Sequence, residues 1–276
     1  MRVLIVGGSG FLGMELVRLC AEAGHDVAAT YLTGPGEHPG IRWLPLDVRA
    51  RADVAAVFEA FRPEVTINAA YRQADWTTTA DGAAHVALAA SATSGHLVHV
   101  SSDVVFSGAA PRYDEGQPPD PVSPYGAAKA AAETAVRAVA PGAAIARTSL
   151  IIGYGRSSHE ALVHALAMGR REGMLFTDDV KCPVHVSDLA SALMETAVRG
   201  LSGVLHVAGS DAVTRYELGL LIARRDGIDP ARVPSGRRAD AGLPGPYEVR
   251  LDCSATQSRL RTRLRGARDF LTPPTS

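Results

Sequence analysis

A chain of 276 residues is long enough to bury a large core, as one domain or as a domain with a smaller lobe. Hydrophobic residues at 46% and charged residues at 21% exclude wholesale disorder, and a formal net charge of -1 gives no electrostatic basis for nucleic acid as a main partner. Small molecules are therefore the default ligands. The three cysteines, Cys20, Cys182 and Cys253, are scattered without metal-ligand spacing, so reduced thiols are expected and no metal site is. The apolar run at residues 3–6 is only strand length and passes into glycines, which does not fit a signal peptide. No stretch approaches the roughly 18 apolar residues of a membrane span. A cytoplasmic protein without membrane contact is expected.

In chain order, short β-branched runs alternate with alanine-rich helical stretches. The pattern predicts a buried strand over 2–7, a helix over 11–23 closed by Gly24, and strands over 26–31 and 41–46. A helix over 52–61, a strand over 65–69, a helix around 83–93 and a strand over 97–101 follow. After a long loop, 124–139 reads as a helix and 143–149 as a strand. Such units specify an α/β fold, a doubly wound parallel Rossmann sheet with helices on both faces. Past residue 150 the regularity weakens, with helices near 160–171, 186–199 and 215–225 and a strand over 203–208. Residues 1–150 are thus expected to form the dinucleotide-binding domain. Residues 151–276 are expected to return to the sheet and build a small C-terminal substrate-binding lobe over its ligand-binding edge. The tail is rich in arginine, either as a solvated face or with one or two arginines binding a substrate diphosphate.

The first strand runs into GGSGFLG at residues 7–13, readable as Gly8-x-Gly10-x-x-Gly13 or as Gly7-x-x-Gly10-x-x-Gly13. Both spacings put glycines between a strand and a helix N-terminus, where unpaired N–H groups and partial positive charge hold a dinucleotide diphosphate. The acidic residue that binds an adenosine ribose usually ends the second strand, but this chain has Ala29-Thr30-Tyr31-Leu32-Thr33 there. With no carboxylate to repel a 2'-phosphate, NADP(H) is favoured over NAD(H), which stays possible. Asp47, ending the third strand, either faces the adenine or caps its loop.

Two further stretches add chemistry. VHVSSDVVFSG, residues 98–108, is a strand ending in hydroxyls at the binding edge. SPYGAAK, residues 123–129, opens a helix with Ser123 as N-cap and Pro124 at its first position, and puts Tyr125 and Lys129 on one face. A nearby ammonium is expected to lower the phenol pKa from its usual value near 10, and Ser102 to hold a substrate carbonyl. The trio suits proton transfer to an alkoxide forming as hydride arrives from a nicotinamide.

The chain resembles the extended short-chain dehydrogenases/reductases, and within them the dTDP-4-dehydrorhamnose reductases. The residues that carry the resemblance are GGSGFLG (7–13), INAA (67–70), VSSDVVFSG (100–108), RYDEGQPPDPVSPYGAAKAAAE (112–133), ARTSLIIG (146–153) and CPVHVSDLASAL (182–193), collinear over about residues 1–195. The resemblance implies the GxxGxxG spacing, with Gly7, Gly10, Phe11, Leu12 and Gly13 at the diphosphate turn. Tyr31, Asp47, Val48, Asn68, Ala69, Ala70 and Lys129 would complete the cofactor site. It implies Ser102 in the Ser/Thr role, Tyr125 as proton donor and Lys129 as its partner, a nucleotide-linked 4-keto-6-deoxysugar as substrate, and a homodimer. The chain departs from the pattern at Val104 and Leu150, where the sugar reductases carry a tyrosine and a tryptophan. Arg72, Asp103, Val104 and Leu150 are the expected substrate-side residues, with Arg72, Tyr71 and Trp76 as candidates to replace the missing aromatics. A non-catalytic NADP-binding regulatory subunit, an epimerase or dehydratase with tightly held NAD, and a reductase of another carbonyl or an imine are the alternatives.

Overall fold

Alternate side chains of the first strand, β1 (Arg2–Val6), point to opposite faces: Val3 and Ile5 join one apolar cluster, Leu4 and Val6 another. A strand apolar on both faces must be covered on both. The computed structural model, which describes residues 1–243 and 247–272, shows how. After β1 come α1 (Phe11–Glu22), β2 (Asp26–Tyr31), β3 (Arg42–Pro45), α2 (Arg51–Phe61), β4 (Val65–Asn68), α3 (Gly82–Ala92), β5 (His96–Ser102), α4 (Pro124–Val139) and β6 (Ala144–Thr148). Then follow α5 (Ser158–Ala167), α6 (Val186–Val198), β7 (Gly203–His206) and α7 (Arg215–Arg225). The seven strands make one parallel sheet in the order β7-β6-β5-β4-β1-β2-β3. The winding reverses between β1 and β4, so the crevice at that point opens beyond the glycine turn.

Helices α1 and α6 cover one face through Leu16, Val17, Leu189 and Leu193, and α2, α3 and α4 cover the other through Phe58, Val86 and Val136. Fully buried side chains of this size contribute about 1.5–3 kcal/mol each. A third apolar cluster, including Ile152, Leu166, Leu218 and Ile222, holds α5 and α7 together as a lobe.

The expected elements match to within a few residues, and the differences have local causes. The helix expected over 160–171 spans Ser158–Ala167, because Ser157 and Glu160 form a reciprocal capping box at its start and Gly169 turns at φ +65° beyond its end. A π-helical turn, Thr77–Asp81, runs directly into α3. Two-residue strands pair Ile151–Ile152 with Val184–His185 and Val180–Lys181 with Val213–Thr214; they are too short for a period-two signal. Among the described residues, no helix is long and apolar enough to cross a membrane.

Candidate active site

Each glycine of the turn has its own reason. Gly7 adopts φ +81°, where a Cβ would also come within 2.9 Å of Ala70 Cα. A Cβ on Gly13 would collide with the Gly7 carbonyl oxygen, and one on Gly8 would lie 2.6 Å from the Ala29 methyl. Gly10 differs: a Cβ there meets only the Gly7 carbonyl oxygen at 3.3 Å and otherwise fills cavity space. Gly7, Gly8 and Gly13 therefore serve the packing, and Gly10 keeps a cradle open. No side chain caps the N-terminus of α1, so its first-turn amides are not taken by a capping group.

Two cavities flank the turn and share Gly7, Gly10, Ala69 and Tyr71. The first, about 210 Å³, is lined by Tyr31, Leu32, Thr33, Asp47, Val48 and Ala70 at the ends of β2, β3 and β4. Arg72, expected on the substrate side, lines this cavity and not the other. Asp47 is bound by Arg49 at 2.6 Å, which holds its carboxyl below the usual range, and Thr30 Oγ1 accepts the Gly7 N–H at 3.0 Å. Asn68 does not line either cavity; its side chain bonds His99 at 3.3 Å and accepts the Ala70 N–H at 3.2 Å, fixing the loop backbone. An open glycine cradle, an uncapped helix and a carboxylate-free β2 end fit the diphosphate and 2'-phosphate of NADP(H).

The second cavity, about 420 Å³, collects Ser102, Asp103, Val104, Tyr125, Lys129 and Leu150, together with Phe11, Leu12 and Gly13. Ser123 Oγ accepts the Gly126 N–H at 3.1 Å and Pro124 takes the first helical position, which sets where α4 starts. A side chain on Gly126 would strike the Val104 carbonyl oxygen, so glycine lets α4 approach the end of β5. Lys129, 3% exposed, donates to the Val100 carbonyl at 3.0 Å. Burial brings its pKa down to about 8, against the opposing charge of Glu133.

Tyr125 departs from the expectation. Its pKa is raised, first by burial and then by Tyr71 and Asp103; the expected lowering by Lys129 is absent. Desolvation dominates because the lysine reaches Val100 and lies 5.1 Å above the Tyr71 ring, which is itself 5.9 Å from the Tyr125 ring. Tyr125 is consequently the neutral acid near pH 7.

Ser102 is also engaged. It donates to Asp103 Oδ1 at 3.2 Å and accepts the Val104 N–H at 3.4 Å, while Asp103 Oδ2 accepts from Ser149 at 2.7 Å. Ser149 in turn accepts the Cys182 N–H at 3.2 Å. For Ser102 to donate to a substrate, its hydroxyl must turn away from Asp103. Trp76 is half exposed and lines neither cavity. Thr79 exchanges hydrogen bonds with the Arg72 backbone at 2.7 and 3.1 Å, shaping the loop that carries Tyr71.

A depressed lysine pKa has a measurable consequence. Turnover that depends on the Lys129 ammonium should hold at neutral pH and decline as pH rises through about 8, where the proton is lost. A rate–pH profile checks this, and Lys129→Met should remove the alkaline limb along with most activity.

Sequence reasoning missed Tyr71 as a neighbour of Tyr125 and missed Ser149, although the latter stands inside the quoted ARTSLIIG stretch. It also missed His159, Lys181 and Arg215 on the far side of the second cavity. No local motif joins those three; only the packing of the lobe does.

The family model described as RmlD substrate binding domain matches residues 1–272. The chain is 33% identical to a dTDP-4-dehydrorhamnose reductase of Mycobacterium tuberculosis, over 94% of this chain and 85% of that one. It is 27% identical to the methionine adenosyltransferase 2 subunit beta of Xenopus laevis, over 99% of this chain and 87% of the relative. In fold it is similar to the dTDP-4-dehydrorhamnose reductase of Bacillus anthracis solved in complex with NADP, with a TM-score of 0.83, 24% identity, and 98% and 96% of the two chains covered.

Proposed function

The chain belongs to the RmlD substrate-binding-domain family, and from that premise we propose that it is an NADPH-dependent reductase acting on the keto group of a nucleotide-linked 4-keto-6-deoxysugar. It is an NAD(P)-dependent oxidoreductase of the short-chain dehydrogenase/reductase type, with NADP(H) favoured and NAD(H) possible. The observation that carries the reading is one cavity holding Ser102, Tyr125 and Lys129 directly against the glycine turn.

NADPH, when bound, supplies the hydride. Gly7, Gly10 and Gly13 would hold its diphosphate, and Tyr31, Asp47, Val48, Ala69, Ala70 and Arg72 its adenosine half. Tyr125 donates its phenolic proton to the substrate oxygen as negative charge gathers there. Its raised pKa keeps that proton in place at neutral pH, so the phenol is charged with a proton when the alkoxide forms. Lys129 brings positive charge to the same helix face, steadied by the Val100 carbonyl. Ser102 turns from Asp103 to the reacting oxygen, and Asp103 keeps Ser149 as its partner. Val104 and Leu150 offer apolar surface to the 6-deoxy side of a sugar.

The test is direct. NADPH consumption should follow addition of a dTDP-4-keto-6-deoxysugar, with the 4-hydroxy product identified by mass spectrometry; NADPH binding without consumption across a panel of such sugars would falsify the reading. That failure, joined to co-purification with a second protein, is the signature of the other reading, a regulatory subunit. The likeness to the methionine adenosyltransferase subunit favours it, and the complete Ser102, Tyr125, Lys129 set opposes it. The protein is read as a cytoplasmic homodimer, with α3 and α4 as the shared surface. The two helices pack side by side and leave Leu88 exposed.

A further inference from the structure

The loop that follows β4 carries a residue that the proton-transfer chemistry leaves unused. Tyr71 stands between the two cavities and lines both, as a half-exposed side chain on a tightly held backbone. On one side of it the Ala70 N–H donates to Asn68, 2% exposed, at 3.2 Å. On the other side Thr79, 1% exposed, accepts the Arg72 N–H at 3.1 Å and donates to the Arg72 carbonyl at 2.7 Å. With both neighbours pinned to buried side chains, the direction of the Tyr71 ring is set by the end of the sheet.

The ring is aimed at Lys129. The lysine Nζ lies 5.1 Å from the ring centroid, inside the range of roughly 6 Å in which an ammonium over an aromatic face is attracted by the ring quadrupole. The rest of the lysine's surroundings show why this contact matters. The ammonium is buried and donates to one carbonyl, Val100, at 3.0 Å. The charged and titratable groups around it are otherwise engaged. Glu133, one turn further along α4, is clamped by Arg147 at 2.8 Å. His99 on β5 is fully buried, and burial together with Lys129 itself pushes its pKa down to about 3, so it is neutral. Tyr125 keeps its proton, and Asp103 accepts from Ser102 and Ser149. Among the described residues, the Val100 carbonyl and the Tyr71 ring are left to compensate a desolvated charge at close range.

We propose that Tyr71 is a positioning residue of the reduction, whose ring face holds the Lys129 ammonium charged and in place beside Tyr125. Its catalytic meaning rests on the reductase reading; the contact itself does not. Phenylalanine presents the same aromatic face, whereas leucine keeps an apolar cover over the lysine and has no quadrupole. Losing the ring withdraws stabilisation from the charged form alone, so the lysine pKa falls.

The chain contains two lysines, Lys129 and Lys181, so lysine labelled with carbon-13 at Cε gives two NMR signals in the cofactor-free protein, assigned by Lys129→Met. Tyr71→Leu should lower the Lys129 titration midpoint by roughly 0.4–1.5 pH units, the range that a cation–π contact spans between exposed and desolvated sites. Tyr71→Phe should keep the wild-type midpoint, and Lys181 should titrate unchanged in both variants. A Lys129 midpoint that is unmoved or raised in Tyr71→Leu, that falls as far in Tyr71→Phe, or that moves in step with Lys181 overturns the proposal. With NADPH and a keto sugar, the alkaline limb of turnover near pH 8 should move down by the same amount in Tyr71→Leu. The two readings fail separately. A lowered midpoint in a protein that reduces no keto sugar sinks only the reductase reading. Keto-sugar reduction with an unmoved midpoint and limb in Tyr71→Leu sinks only the role of Tyr71.

Discussion

Tyr125→Phe is expected to lower turnover by roughly 10²-fold or more while leaving NADPH affinity nearly unchanged. The phenylalanine keeps the ring that packs 5.9 Å from Tyr71 and removes only the oxygen that carries the proton. The glycine turn and the cavity lined by Asp47 and Arg72 lie outside the change, so binding, followed by quenching of NADPH fluorescence, should persist. Burial, Tyr71 and Asp103 keep the Tyr125 proton on the wild-type phenol at neutral pH, and the variant lacks that donor. Residual activity should then lose its dependence on the tyrosine and report water as the proton source. Wild-type turnover in the variant would remove Tyr125 from the chemistry altogether.

The second large effect concerns stability. Arg147, 1% exposed, clamps Glu133, fully buried, through Nε–Oε1 at 3.0 Å and Nη2–Oε2 at 2.8 Å. Ser101 adds a hydrogen bond to the same carboxylate at 2.6 Å, and Arg147 also donates to the Gln117 carbonyl at 3.2 Å and covers the Phe106 ring. This cluster ties α4 to β5 and β6 directly behind Tyr125 and Lys129. Arg147→Met leaves a buried carboxylate without its counter-charge and should cost about 3–5 kcal/mol in urea unfolding. The double variant Arg147→Met, Glu133→Leu should be markedly less damaging, because no charge is then stranded. A single variant within about 1 kcal/mol of wild type would mean that water or a side-chain shift neutralises Glu133.

Much of the frame was legible because it rests on local physics. Alternation along β1, the alanine-rich helical stretches, and Ser123-Pro124 opening α4 each express preferences of a few neighbouring residues. Tyr125 and Lys129 had to share a helix face once that helix was recognised. The glycine turn was readable as a turn with two spacings, between which the family resemblance chose Gly7, Gly10 and Gly13. In the folded chain Gly8 is demanded by the Ala29 methyl, whereas Gly10 is the position facing open cavity.

The placement of Arg72 was less legible. It follows β4 closely in sequence, yet the loop closed by Thr79 carries it to the cavity at the ends of β2 and β3, 7 residues of separation deciding what no motif encodes. The capping boxes at Ser157 and Thr214 were visible in principle as Ser-x-x-Glu and Thr-x-x-Glu.

The succession of strands and helices, the glycine turn, and Ser102, Tyr125 and Lys129 as candidates were readable from the chain, since each lies in a stretch that local geometry controls; that the three line one cavity came with the fold. Tertiary structure alone decided that Tyr125 is held protonated and not activated towards phenolate. The balance between burial and a neighbouring cation depends on Tyr71 and Asp103, which arrive from other elements. It also decided that His159, Lys181 and Arg215, 56 residues apart at the His159–Arg215 bond, face one cavity. Electric fields and desolvation act through space, so they are set only when the lobe packs over the sheet.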